Sequence, residues 1–540
     1  MNFMTALSRP CKATAFAMVL VTILVGPALF PTLDLATRPV RAQAADWVID
    51  TPGNTLDGQI KELSKNMIIE TGGGLTIRNC TLIFNLTKDG VAGIIVQSGG
   101  FLEIYDSRIY PKNMLFSPTF TSTGDLTLVR SVVRSLYGTY ANGGGVLIKG
   151  GTAHISDTDF EANKRQGVTV FDGTVSVQRS TFVDNVEGVH CKEVGNILIE
   201  DTQFTRSSQQ AILAVSSILT IRRNTFTEND IGIGLSDSSA NIQNNDIRNG
   251  RIGIDVANGY STMITDNKII NNHEAGIRIT TSAVTIASNE ITGNAGAINA
   301  TGGQLSISSN TITGNANGLR LIGSTGTVTG NTIGGSSHGY GIYLLGGAIT
   351  GVASNTFNPN NALGQIAWAW DLQIKTTKDT KNGLVIASQA EVEVYDSNDD
   401  IVFSGVTNVS GQTKKIEVVQ RYTDNAGTDV LLTPHKLKAK LNSSSVTEKI
   451  TMDQNQTVSL ILGSSKSSTN PQIAQLLLAA GVILLCVAAG LFLNWKFKGE
   501  DTAREPRIKR DASRRRHGRR ALTSTTTSRD IRARRRKKRG

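Results

Sequence analysis

An asparagine that returns at nearly constant intervals constrains this chain more than any other feature. Asn224, Asn245, Asn267, Asn289, Asn310, Asn331 and Asn355 lie 21, 22, 22, 21, 21 and 24 residues apart, and each is followed two positions later by Ile or Phe. Ser180 and Thr202 hold the same place further upstream, 22 residues apart. A second register trails the first by about eight residues: Gly167-Val168, Gly188-Val189, Gly232-Ile233, Gly253-Ile254, Gly276-Ile277, Gly318-Leu319 and Gly341-Ile342. Two signals locked to one period mark a stacked repeat, in which each unit buries its apolar side chains against its neighbours.

The period also selects the kind of repeat. Each unit carries apolar residues in alternation, as in Val284-Thr285-Ile286 and Gly276-Ile277-Arg278-Ile279, with Gly, Asn and Ser between the runs and no apolar stripe of helical length. A unit of this size makes one coil of short strands, and coils stacked ~4.8 Å apart pair every strand with its copies above and below. The resulting sheets are parallel. An asparagine repeated at one turn can bridge neighbouring coils through its amide and satisfy backbone groups that the turn leaves unpaired. Glycine just before the inward Ile or Val suits a bend in which a Cβ would clash.

These Asn-x-Ile and Gly-Ile-x-Ile units resemble the repeats of right-handed parallel β-helix proteins, the pectate-lyase-like superfamily that includes NosD-like proteins. The likeness covers about half of the chain. It implies a fold and leaves activity open, because lyases, hydrolases, epimerases, adhesins and binding scaffolds share it.

Formal net charge is +11, but 496–540 carries +14 and 1–44 carries +3, so the long middle part is mildly acidic and presents no nucleic-acid surface. Cys11 and Cys486 lie in apolar targeting or spanning stretches. Cys80 and Cys191 are about five coils apart, beyond disulfide reach.

Taken in order, residues 1–44 have the layout of a secretory signal peptide, with Arg9 and Lys12, an apolar run and Ala42-Gln43-Ala44. The alternative is an uncleaved membrane anchor. Residues 45–365 are expected to form the β-helix, with a cap and an incomplete first coil up to Gly74. Extra residues emerge as loops around Pro111 to Phe120 and Gly138 to Gly145, since the early coils centred on Cys80, Ser107, Ser131 and Thr158 have longer steps.

Alternating runs such as Val392-Glu393-Val394-Tyr395 and Leu437-Lys438-Ala439-Lys440-Leu441 then predict a small antiparallel β-sandwich over 366–462, similar to carboxypeptidase-regulatory-like, prealbumin-type modules. A linker (463–472) leads to a charge-free stretch at 473–495, long enough for a transmembrane helix. The tail, 496–540, is basic and disordered by composition, and would stay cytoplasmic against anionic lipids. The expected whole is all-β apart from the span: a type I single-pass protein of the plasma membrane with its ectodomain outside, as in an archaeal or other single-membrane envelope.

Candidate chemistry lies on the outward position of the Gly-Ile-x-Ile strand. This column reads Thr169, His190, Leu213, Gly234, Asp255, Arg278, Asn299, Arg320 and Tyr343, a plausible groove for an extended glycan. Its plain alternative is a solvated face with Asp255 and Arg278 as a cross-strand pair. Lys268 and Glu290 read as a ladder ion pair. Asp157 and Asp159 share a face by strand alternation and could hold a cation such as Ca²⁺, or be turn and surface residues. With Asp255 they are the weak catalytic candidates.

His338-Gly339 matches only part of the polygalacturonase Gly-His-Gly, and the Asp-Pro-His-Asp of alginate epimerases is missing. No His/Cys/Met cluster supports a copper site, and no cofactor is implied. Sequons at Asn79, Asn85, Asn299, Asn408, Asn442 and Asn455 allow glycosylation. The expected function is a surface scaffold of adhesin type that binds glycans or other surface proteins. The alternative is a polysaccharide lyase, hydrolase or epimerase acting on the outward face.

Overall fold

The computed structural model describes residues 45–139 and 143–463. The expected leader, most of the linker, the span at 473–495 and the basic tail lie outside the described residues. Among those described, no helix is long and apolar enough to cross a membrane.

Each regular coil contains three strands, of six, five and three residues, as in Ile231–Ser236, Ser239–Gln243 and Asp246–Arg248. Every strand pairs in parallel with its copies in the coils before and after, so that Ile233 lies between Ile212 and Ile254. The three-residue strands make a fourteen-stranded sheet. The six- and five-residue strands would make two more, but Val146–Ser156 and Gln166–Gln178 run through both and join them. Inward side chains fill one continuous core of Ile, Val and Leu, in which Phe160, Phe182, Phe204 and Phe226 stack with centroids 4.6, 4.8 and 5.0 Å apart.

The chain turns from strand to strand through single residues in the left-handed region. Before the asparagine ladder these are Asp106, Arg130, Asp157, Arg179, Asp201 and Arg223, with φ between 47 and 57°. Their charges alternate coil by coil, and Asp106–Arg130, Asp157–Arg179 and Asp201–Arg223 are bonded pairs. The next residue turns inward. There Asn267 donates its backbone N–H and its Nδ2 to Asn289 Oδ1 (2.9 and 3.0 Å), and the pattern repeats through Asn224, Asn245, Asn310, Asn331 and Asn355.

Upstream the ladder continues without a break in shorter side chains: Cys80 N–H bonds Ser107 Oγ, Ser107 bonds Ser131, Ser131 bonds Thr158, and so on through Ser180 and Thr202 to Asn224. A second ladder follows the three-residue strands through Asn163, Asn185, Asn229, Asn272, Asn294 and Asn315. Both satisfy buried corner groups that no strand partner reaches.

Two expectations are revised at the ends. The first coil is complete, because Trp47–Ile49, Asn54–Asp57 and Ile60–Leu63 each pair with the coil that follows, and Lys61 covers the Trp47 ring at 3.6 Å. At the other end Gly364–Thr380 is one strand of 17 residues. It starts as the last rung beside Tyr340–Leu345 and continues into the second module, where it pairs with Ile416–Thr423 and Gln456–Leu462. The boundary expected after residue 365 therefore lies inside a strand, between a core ending at Ile366 and another starting at Leu372. The module is not purely antiparallel, since its pairing with Gln456–Leu462 is parallel. Cys80 and Cys191 are free and buried.

Candidate functional site

The outward positions of the six-residue strands form a single column. Backbone register places Thr169, His190, Leu213, Gly234, Asp255, Arg278, Asn299, Arg320 and Tyr343 in succession, one per coil. Access to it differs along its length. Thr169 is fully buried: its Oγ1 accepts from Gly144 N–H (3.0 Å) and donates to Gly144 O (2.8 Å), so the loop that carries Gly143–Gly144 lies over it. At the far end Glu417, from the second module, takes Arg320 as an ion-pair partner and accepts from the Tyr343 hydroxyl (3.0 Å). Burial, then the Glu417 carboxylate, push the Tyr343 phenol well above its usual value. The open stretch therefore runs from His190 to Asn299.

Leu213 and Gly234 floor the middle of this stretch, with the Gln210 side chain against Gly234. Beyond them is a chain of ion pairs. Asp255 binds Arg278 through both oxygens (2.9 and 2.6 Å), Arg278 reaches Glu274 (3.0 Å), Glu274 meets Arg251 (2.6 Å), and Arg251 holds Asp230 (2.8 and 3.0 Å). The bond to Asp255 raises the Arg278 guanidinium, and those to Asp230 and then Glu274 raise that of Arg251. Asp255 is thus the acceptor of a paired arginine.

At the opposite end stands a pair that strand alternation hides. His190 Nδ1 lies 2.7 Å from Glu187 Oε2, and Glu187 also accepts from Gln166 Nε2 at 3.1 Å. The Glu187 side chain is 4% exposed and that of His190 19%, so the carboxylate is enclosed and the imidazole reaches the surface. Burial alone would raise the Glu187 carboxyl, but the hydrogen bond and charge of His190, then Gln166 and Arg165, outweigh it and hold the group below its usual range. With Nδ1 occupied, Nε2 is the ring nitrogen left for the groove.

Residues 187 and 190 would sit on opposite faces of a regular strand. Here a Cβ on Gly188 would point into the core, 2.7 Å from the Phe204 ring, so Gly188 and Val189 both face inward and the parity is reset.

The acidic pair at 157 and 159 is not brought together. Asp157 turns a corner at φ 51° and binds Arg179 (2.9 Å to each oxygen), which holds its carboxyl below the usual range. Asp159 lies in the next strand and bonds Thr181. The corner between them breaks the alternation that would give a shared face. Lys268 and Glu290 do face one another at 3.8 Å. His338 is exposed, with Nδ1 2.8 Å from Ser337 Oγ. Apart from Asn299, the sequon asparagines are exposed.

Two family profiles match the chain. "Periplasmic copper-binding protein (NosD)" covers residues 120–302 and "Right handed beta helix region" covers residues 231–399. The chain is a parallel β-helix repeat protein. Among solved structures, this repeat protein is similar to the periplasmic alginate epimerase AlgG, at 15% identity over 51% of this chain and 77% of that one, with a TM-score of 0.40. It is also similar to the A-module of Azotobacter vinelandii mannuronan C-5 epimerase AlgE6 (15% identity, 57% and 89% covered, TM-score 0.23) and to the Dettilon tailspike protein (12%, 65% and 72%, 0.26). No curated protein sequence matches it.

The described residues do not fit the copper of the first profile's description. Copper takes imidazole, thiolate and thioether donors. Among the described residues no three His, Cys, Asp or Glu side chains are grouped to hold a metal ion. Cys191 is sealed in the core, where burial pushes its thiol up to about 12.

Proposed function

We propose that this is an exported polysaccharide-acting protein, in which an extended glycan lies along the open column from His190 to Asn299 and exchanges a proton with His190. The observation that carries the reading is the enclosed Glu187 carboxylate bonded to His190 Nδ1. A carboxylate in that place fixes the ring's orientation through Nδ1 and leaves Nε2 to take or give a proton, the arrangement general acid–base catalysis needs. The coil spacing of ~4.8 Å lets successive sugars meet successive rungs, so that many weak contacts add in register. Asn299 and Gln210 supply hydrogen bonds, and the half-buried Leu213 supplies an apolar surface for a ring.

A second reading is favoured by the Asp255–Arg278–Glu274–Arg251–Asp230 chain, whose charged groups are already paired with one another. On this reading the same face binds glycans or neighbouring surface proteins without turning them over. Either way the apolar stretch at 473–495 would hold the protein in the plasma membrane with the β-helix outside and the basic tail against anionic lipids, and the prealbumin-like module would set the ladder at a fixed angle through its shared strand.

Full-length protein applied to an array of polysaccharides, followed by analysis of chain length and sugar configuration, tests both. Retention with turnover that His190→Ala removes, at unchanged thermal midpoint, supports the first reading. Retention without turnover supports the second. Absence of retention on every polysaccharide overturns the glycan assignment.

A further inference from the structure

Arginines on this β-helix are paired with carboxylates as a rule: Arg130 with Asp106, Arg179 with Asp157, Arg206 with Asp184, Arg251 with Asp230 and Arg278 with Asp255. Arg78 lies over the Tyr105 ring at 4.3 Å. Among the described residues, Arg108 is the arginine whose guanidinium has neither kind of partner.

The Arg108 side chain is exposed and stands on the wall of a cleft. Arg108 projects from the three-residue-strand sheet, next to Val132 in the following coil, with Tyr110 two residues along on the same face. Arg134, beyond Tyr110, is bonded to Glu161 (2.9 Å), so these two charges offset each other. The loop after Pro111 brings Met114 across the strands, where its sulfur accepts from Ser135 Oγ at 3.3 Å. Lys112 of the same loop is turned away to Glu62 (3.0 Å). Arg108, Tyr110, Met114, Val132, Arg134 and Glu161 line an open surface cleft of about 390 Å³, within the ~300–1,000 Å³ range of small-molecule sites. Arg108 supplies the one uncompensated charge on its wall, and a phenol ring, a thioether and a valine supply the apolar surface.

We propose that this cleft binds a small carboxylic acid carrying an aromatic ring, with the carboxylate on Arg108 and the ring between Tyr110 and Met114. A guanidinium fork matches a carboxylate through two parallel hydrogen bonds. A ring edge and a thioether sulfur favour an aromatic guest over an aliphatic one. Glu161 does not repel the acid strongly: it lies two coils below Arg108, ~10 Å along the axis at the strand spacing, and is held by Arg134. The site lies on a different sheet from the column and stands independently of the polysaccharide reading.

Titration of the full-length protein with 4-hydroxybenzoate, followed by saturation-transfer NMR, tests it, with acetate and benzyl alcohol as probes of charge alone and ring alone. The acid should saturate, and each control should bind about tenfold or more weakly. Arg108→Gln should weaken 4-hydroxybenzoate about tenfold or more while leaving the thermal midpoint in place. Met114→Ala, in a loop outside the strand ladder, should weaken 4-hydroxybenzoate and leave acetate unchanged. No saturation by 4-hydroxybenzoate up to ~10 mM, equal binding by Arg108→Gln, or acetate binding as tightly as the aromatic acid would each overturn the proposal.

Discussion

Replacing Asn289 by leucine removes one rung of the asparagine ladder with little change in side-chain volume. The wild-type amide has five partners: Oδ1 accepts from Asn267 N–H (2.9 Å) and Nδ2 (3.0 Å), while the two protons of Nδ2 are shared among Ile264 O (2.8 Å), Ala287 O (3.0 Å) and Asn310 Oδ1 (2.9 Å). Asn289 is 2% exposed, so water cannot replace the lost partners. The Asn267 N–H and the Ile264 carbonyl are both left buried with an unmet bond, at about 1–3 kcal/mol each, which puts the cost of Asn289→Leu near 4 kcal/mol.

Asn289→Ser should cost roughly half of that, because a hydroxyl already serves as ladder acceptor at Ser131 and Ser180 (3.1 and 3.2 Å). Urea unfolding of the full-length protein, followed by far-ultraviolet circular dichroism and compared at constant denaturant slope, reads both values. A leucine variant within about 1 kcal/mol of wild type, or one no less stable than the serine variant, would show that the ladder does not hold the coils together.

Three further outcomes are expected. Gly188→Ala should destabilise by about 1–3 kcal/mol, since the new Cβ would lie 2.4 Å from Ala211 O and 2.7 Å from the Phe204 ring, whereas Gly195→Ala, with open space around it, should be neutral in the same urea assay. Burial, only partly opposed by Asp396 and the Val419 backbone, depresses the His435 imidazole below its ordinary 6.5. The unfolded chain then binds a proton that the folded module does not, so stability should fall as pH drops below 6.5 toward the depressed value. Thermal midpoints between about pH 7.5 and 5.5 should decline more steeply for wild type than for His435→Leu, and parallel curves would contradict this. Finally, burial raises both the Cys80 and Cys191 thiols. Peptide mapping should find them unmodified by an aromatic disulfide reagent until urea is added, and labelling of either in the native state would place it outside the core.

The parallel β-helix was legible because its physics is local and periodic. A corner that recurs every coil needs the same side chain each time, so Asn224 through Asn355 could be counted from the chain alone. The second ladder, Asn163 through Asn315, follows the same arithmetic and could have been found by repeating the count at an offset of about five residues. The reading of Asp157 and Asp159 as turn and surface residues agrees with the corner at Asp157, whereas a face shared by the two fails because alternation does not carry across that left-handed corner. Asp255 facing Arg278, and Lys268 facing Glu290, were legible because parallel register follows directly from the repeat length.

The candidate site depends on contacts that have no period. Glu187 joins His190 only because Gly188 turns inward over Phe204 and resets the parity of its strand. The column is closed at one end by a loop on Thr169 and at the other by Glu417, which is 97 residues from its partner Arg320. The cleft at Arg108 exists because the loop after Pro111 returns Met114 to Ser135 in the following coil. The amino-acid order by itself determined the coil, its register and what lies inward, since those follow from interactions repeated at fixed separation. Which outward residues are open, paired or covered was decided only in the folded chain, where single bends, loops and a second module bring together groups that no interval in the sequence relates.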